Sequence, residues 1–428
     1  MRHLKVVLSI PQYKIRIATR QKWLADLKEF AASTDADLVV FPESFISRYF
    51  HEGTVESGNR ILKKLAQDMD CAVISGFKTT DGFETALFYN PNPGRGETWQ
   101  HLYYKHFLAD KVAFELDDWE SKVDEIFSPI RIKGQRLGVC VCYDMFWPAI
   151  IQAFENRGAR VFIDLTGDNV VPHKWKTIVS GRSVESSSPF LCTMGYYHGW
   201  GGEAIALAFD RGLAMEMTLP GDEGAFESPV PPTFVCVAIP SVRTTDILPE
   251  KPYSGTWQND ITASLGTSAR ADIEIGRKGS RYIVSSHGKT CQIKKNEWSL
   301  IKGRHHKIAL LCLGMEDLKD RSVLLRAAPS PFREADDVEH VVVYCGNNHS
   351  GLSQRDIISL ASLRVIEHRI AALIMDGDCK EAIRQTKTKG VMRLEERNGL
   401  FGIRVNQMGR LLGPSVPEQY RDQYLSLI

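Results

Sequence analysis

The chain has 428 residues, 43% of them hydrophobic and 25% charged, with a formal net charge of +1. That length exceeds what one hydrophobic core usually holds, so two domains are expected. The composition is that of a soluble globular protein, and near-neutral charge argues against one dominant electrostatic partner. The charge is nonetheless uneven: residues 241–428 carry 28 Lys/Arg against 22 Asp/Glu, and residues 1–240 carry 25 against 30. No apolar run reaches membrane-spanning length, and the opening MRHLKVVLSIPQYK carries no signal-peptide pattern. Nine cysteines without a framework spacing suit a reducing compartment, so a cytoplasmic protein is expected.

Taken in chain order, Leu4 to Ile10 is a short apolar strand, and Arg20 to Ala32 has helical periodicity. Leu38 to Phe41 reads as a buried strand ended by Pro42-Glu43. Glu43 therefore sits at a strand's C-terminal end, where α/β folds gather chemistry, although a helix-start glutamate looks the same. Residues 56–69 read as a helix, and 71–77 and 84–91 as two strands with Gly82 between them. The run TWQHLYYKHFL then leads to Lys105, whose bland reading is a snorkelling edge-strand lysine. Residues 109–126 are acidic and loop-like.

LGVCVCYDMFWP, residues 137–148, alternates as a buried strand up to Cys142 and then breaks into a helix beginning near Pro148. A strand-to-helix corner aims backbone N–H groups outward, which suits a thiolate or an oxyanion. The alternative is an inert core cysteine, the commoner fate of a free thiol. Cys140-x-Cys142 is neither a zinc nor a redox spacing, and Cys140 is expected to face away from the pocket. Beyond the cysteine come a helix over 148–156, a strand over 159–166, a helix over 175–186, and strands over 190–197, 203–210, 212–218 and 232–240. Strand and helix alternate and hairpins follow, giving a layered α/β domain.

Three separated segments, FPES with Glu43, LYYKHFL with Lys105 and VCYDMFWP with Cys142, together resemble the carbon–nitrogen hydrolase (nitrilase) superfamily. GARVFIDLT and the segment from Trp175 to Glu185 resemble its downstream motifs, so the likeness covers about residues 1–240. It implies a four-layer α-β-β-α sandwich. It also implies a cysteine nucleophile at Cys142, Glu43 as general base, and Lys105 with the Tyr143 backbone N–H at the developing oxyanion. The family often adds a second glutamate after the lysine; Glu115 is preferred here over Glu120. The implied reaction is hydrolysis of a non-peptide amide, carbamoyl or nitrile carbon–nitrogen bond through a thioester, with no metal or cofactor, in a homo-oligomer formed through helices 148–156 and 175–186. A nitrilase-like scaffold with an assembly role is the alternative, disfavoured because Glu43, Lys105 and Cys142 are all kept. Arg182 and Glu185 are read as a helix-to-core ion pair, and Asp144 as a turn residue rather than an acid.

Past a hydrolase domain placed at 1–242, residues 243–262 are read as a Pro/Ser/Thr-rich linker. Residues 263–428 are expected to form a separate, smaller α/β or α+β domain of unknown role. Short strands fall in 271–276, 281–286 and 289–293, buried strands in 306–314 and 339–346, and one long amphipathic helix over 355–377. This part lacks the Ser-Gly-Gly-x-Asp-Ser loop of glutamine-dependent NAD synthetases, and the absence of membrane spans argues against apolipoprotein acyltransferases. No aromatic-rich basic stripe is visible, so a regulatory or assembly role is favoured over nucleic-acid binding.

Overall fold

A computed structural model describes residues 3–11, 17–106, 124–167, 172–195, 206–219 and 234–240, and, beyond them, 273–278, 281–286, 289–302, 307–326, 338–345, 352–368, 371–375, 380–383, 396–397 and 400–404. The chain divides into two compact units, Met1–Asp246 and Ile247–Ser426.

The first unit holds two six-stranded sheets. In the first sheet, β1 (Leu4–Ser9), β2 (Leu38–Phe41) and β3 (Ala72–Lys78) run parallel, with β4 (Glu84–Tyr89) and β5 (Gln100–Tyr104) antiparallel beyond β3. The second sheet repeats the theme. Its β7 (Gln135–Val141), β8 (Val161–Thr166) and β9 (Pro189–Met194) are parallel, flanked by β6 (Ile130–Ile132), β10 (Ala206–Asp210) and β11 (Leu213–Ala214). The last strand of the unit, β12 (Phe234–Ile239), returns to pair antiparallel with β1. Strands β2, β3 and β4 are buried on both faces. Such strands read as continuous apolar runs and need covers on either side.

Helix α1 (Ile17–Ser33) covers the outer face of the first sheet. Its Trp23, Leu27 and Phe30 pack with Val7, Val39, Phe41 and Phe234. Helix α3 (Val55–Met69) joins it through Leu62, Leu65, Ala66 and Met69. Its start is fixed by Thr54, whose hydroxyl accepts from Ser57 N at 3.2 Å, an N-cap worth about 1 kcal/mol. Helix α4 (Pro148–Asn156) begins with proline at its first position, where the missing N–H costs nothing, and buries Ile150, Ile151 and Phe154. With α5 (Pro172–Ser186) it belongs to the second sheet's side, completing the α-β-β-α layering of the nitrilase type.

A short helix near the site escaped the sequence reading. Helix α2 (Phe45–Phe50) follows β2 directly, and its six residues are too few to show a period. Its Phe45 ring stacks on Phe41 at 4.1 Å and leans on Tyr49 at 4.8 Å. The aromatic content, rather than helical propensity, holds it in place.

The second unit contains a sheet whose central strands β17 (Lys307–Gly314), β18 (Val338–Cys345) and β19 (Ala371–Met375) are parallel. The single helix expected over 355–377 is two elements. Helix α7 (Gln354–His368), which follows the short α6 (Val323–Arg326), ends before the apolar run AALIM, which forms β19. A short apolar run of that length forms a strand once a parallel neighbour is available. Strands β13 (Ile273–Lys278), β14 (Arg281–Ser286) and β15 (Lys289–Ile293) form a separate antiparallel meander that β20 (Lys380–Ile383) extends.

Candidate active site

Glu43 lies at the end of β2, and the following Ser44 turns left-handed at φ 56° before α2 begins. Gly76 of β3 makes room for this turn. A Cβ there would stand 2.4 Å from the Glu43 Cα and 2.5 Å from the Pro42 carbonyl oxygen, closer than any side chain allows. Lys105 follows β5, and its backbone N–H donates to the Glu84 carbonyl at 2.8 Å. The Lys105 Nζ donates to Glu43 Oε1 at 2.5 Å, with residues that are 5% and 9% exposed. The strand ends thus bring a buried ammonium and a buried carboxylate together across 62 positions of chain.

Cys142 follows β7 directly at φ 54° and opens a tight turn, Cys142–Phe146, that leads into α4. A non-glycine residue in this region costs of order 1 kcal/mol or more and persists only where its surroundings impose it. Its N–H donates to Asp164 Oδ1 at 2.8 Å, from the adjacent strand β8. The other Asp164 oxygen accepts from Thr166 Oγ1 at 2.5 Å and from Trp175 Nε1 at 2.8 Å. Burial pushes the Asp164 carboxyl up to about 7, against these donors. Behind the turn, Arg182 donates through Nε and a terminal nitrogen to the Met145 and Phe146 carbonyls, both at 2.9 Å, and pairs with Glu185 at 2.7 Å. Arg182 and Glu185 do form a buried ion pair, but within one helix, three positions apart, and it is Arg182 that reaches on to the turn. Tyr143 is buried, with its ring stacked on Phe146 at 4.9 Å and edge-on to Trp175 at 5.8 Å.

Asp144 is a fastener rather than an acid. It accepts from Tyr103 OH at 2.9 Å and from the His106 N–H at 3.0 Å, so it ties the segment carrying Lys105 to the turn carrying Cys142. The neighbouring His106 imidazole contacts the same Tyr103 hydroxyl at 2.9 Å, and burial lowers its pKa to about 3, keeping the ring neutral.

Electrostatically the three groups form one cluster. Burial raises the Cys142 thiol well above its ordinary value, and the Glu43 charge adds to that. Lys105 and a hydrogen bond from the Gly167 backbone act in the opposite direction. Burial alone would depress Lys105, but the charges of Glu43 and Cys142 override it and hold the ammonium above the usual lysine range. Gly167 matters sterically as well, since a Cβ there would lie 2.5 Å from Glu43 Oε2. Gly167→Ala is expected to push the carboxylate aside, lowering kcat/KM about 100-fold, the usual cost of misplacing a reacting group by an ångström. The melting temperature should move by only a few degrees. Steady-state kinetics beside a thermal melt checks this, and unchanged kinetics would mean that Glu43 does not act from this position.

Two buried carboxylates near the site, Glu84 and Asp164, were missed by sequence reasoning, since each sits inside a strand pattern with no local mark. Glu115 and Glu120 lie outside the described residues. Among the described residues no group of three or more His, Cys, Asp or Glu side chains could hold a metal ion, and no helix is long and apolar enough to cross a membrane.

Residues 8–202 match the carbon–nitrogen hydrolase family model. This segment of the chain belongs to that superfamily, in agreement with the double-sheet sandwich and the strand-end cluster. Over 172 residues the chain is 27% identical to a hydrolase of Mycobacterium tuberculosis, covering 37% of this chain and 60% of that protein. It is 22% identical to the deaminated glutathione amidase of Escherichia coli, covering 38% and 66%, and 25% identical to an (R)-stereoselective amidase of Pseudomonas, covering 36% and 56%. The chain thus spans about 60% of the length of these curated relatives. Among solved structures, an amidase of Nesterenkonia from the nitrilase superfamily aligns at 18% identity over 56% of this chain and 93% of its own, with a TM-score of 0.43.

Proposed function

We propose that the N-terminal unit hydrolyses a non-peptide carbon–nitrogen bond of a small amide, carbamoyl compound or nitrile, through a thioester on Cys142. The observation that carries this reading is the buried 2.5 Å Lys105–Glu43 pair, set where both charges act on the Cys142 sulfur. In an amide, Cys142 Sγ attacks the carbonyl carbon while Glu43 takes the thiol proton. That transfer moves a negative charge from carboxylate to sulfur and on to the carbonyl oxygen, always beside the one ammonium of Lys105. The net charge of the cluster is unchanged, so burial, which holds the resting thiol protonated, does not oppose the step as it would oppose an isolated thiolate. Lys105 and the Tyr143 backbone N–H stabilise the oxyanion. As the carbon–nitrogen bond breaks, Glu43 returns its proton to the leaving amine. It then takes one from water, whose oxygen attacks the thioester and restores the thiol.

Incubation with a panel of simple aliphatic and aromatic amides in the presence of hydroxylamine tests the thioester. Hydroxamate should form in competition with the free acid, and a covalent acyl mass should sit on the peptide containing Cys142. Ammonia release with neither product would overturn the covalent route.

Self-association through α4 and α5 belongs to the same reading. Light scattering at micromolar concentration should give a dimer or larger assembly, and a monomer would count against it. For residues 263–428 a regulatory or assembly role is favoured over nucleic-acid binding.

A further inference from the structure

Two of the site's segments turn through a left-handed, non-glycine residue, and each such residue is held by a buried carboxylate from another strand of the same sheet. Cys142 is held through its N–H by Asp164. Ser44, immediately after Glu43, is held through its hydroxyl, which donates to Glu84 Oε2 at 2.7 Å. Glu84 opens β4 and is 8% exposed. Its backbone carbonyl also receives the Lys105 N–H at 2.8 Å. One residue therefore fastens the turn carrying the base and the strand end carrying the ammonium. On the reading of Cys142, Glu43 and Lys105 given above, we infer that Glu84 is a positioning residue of the active site, which braces Glu43 through Ser44 and supplies a second negative charge to the cluster.

The charged groups facing Glu84 come from three elements. Glu43 comes from the β2–α2 turn. Lys105 comes from the end of β5. Lys78 of β3 is half-exposed, with its Nζ 3.3 Å from Glu84 Oε1. Burial first, and then the Glu43 charge, raises the Glu84 carboxyl, while Ser44, Lys105 and Lys78 oppose the rise. Bracing and charge are separable tasks. Gln at position 84 keeps an acceptor for Ser44 and removes the charge, whereas Ala at position 44 removes the hydrogen bond and keeps the charge.

The test uses the full-length chain and iodoacetamide, which alkylates a thiolate with loss of iodide, and follows the peptide containing Cys142 by mass spectrometry from pH 5 to 9. Removing a negative charge makes the remaining anions cheaper to form. Glu84→Gln should therefore shift the labelling profile to lower pH and speed labelling at pH 6 about threefold, equivalent to half a pH unit. Ser44→Ala should lower the plateau rate of labelling and leave the midpoint in place. Identical wild-type and E84Q profiles at a reactive Cys142 would overturn the charge role alone, and a wild-type plateau in S44A would overturn the brace. A wild-type Cys142 that resists alkylation at every pH would overturn the nucleophile reading and, with it, this one.

Discussion

Replacing Cys142 by Ala is expected to abolish turnover, lowering kcat by at least about 1,000-fold, while the protein stays folded. The scale follows from the proposed mechanism, because without the sulfur no covalent intermediate forms, and a nucleophile removed from a working constellation costs several orders of magnitude. Retention of the fold follows from the local geometry. The left-handed turn at position 142 is imposed by the backbone hydrogen bond to Asp164 and by the Arg182 clamp on the Met145 and Phe146 carbonyls, none of which involves the sulfur. The lost side chain is small, so a cost of about 1 kcal/mol is expected. The check is ammonia release measured beside a thermal melt. Activity near wild type in C142A would remove Cys142 from the mechanism, and an unfolded C142A would transfer the question to Cys142→Ser, which keeps the volume and weakens the nucleophile.

Much of this site was legible because its chemistry lies at ends of strongly patterned elements. Leu38–Phe41 and Leu137–Val141 are apolar runs that stop at Glu43 and Cys142, and the stop itself marks the strand end. What the pattern could not carry is contact across long separation. Glu84 reads as the first residue of an ordinary hairpin strand, yet its partner Ser44 is 40 positions away. Asp164 interrupts the apolar VFIDLT with a polar residue, and only the fold places it under the Cys142 N–H, 22 positions back. Helix α2 and the left-handed Ser44 were hidden for a different reason. They are set by aromatic packing and by the close approach allowed at Gly76, neither of which has a period. The division of 355–377 into helix and strand failed on the opposite count, because a short apolar run at the end of an amphipathic stretch satisfies both periodicities until a parallel neighbour decides.

Lys105→Met is expected to lower both stability and activity. Methionine fills nearly the same volume, so the effect isolates the charge. In the native cluster one ammonium faces Glu43 at 2.5 Å with both groups buried. Without it, Glu43 is left beside Glu84 with no buried cation, and breaking a buried pair in this way costs about 3–5 kcal/mol. Turnover should fall at least about 100-fold, since the developing oxyanion loses its cation. The sign of the pH dependence separates this mechanism from a packing defect. A buried carboxylate without a partner binds its proton more tightly folded than unfolded, so the variant regains stability as pH falls toward 5 and loses it as pH rises toward 8. In the wild type, Lys105 holds its proton above the usual lysine range. Its contribution is therefore fully present at neutral pH and is lost only as pH climbs past that range. Melting curves of both proteins at pH 5, 7 and 8 decide the matter. A deficit that is widest at pH 8 supports the buried pair. A deficit of equal size at all three values would mean that the side chain packs without its charge contributing.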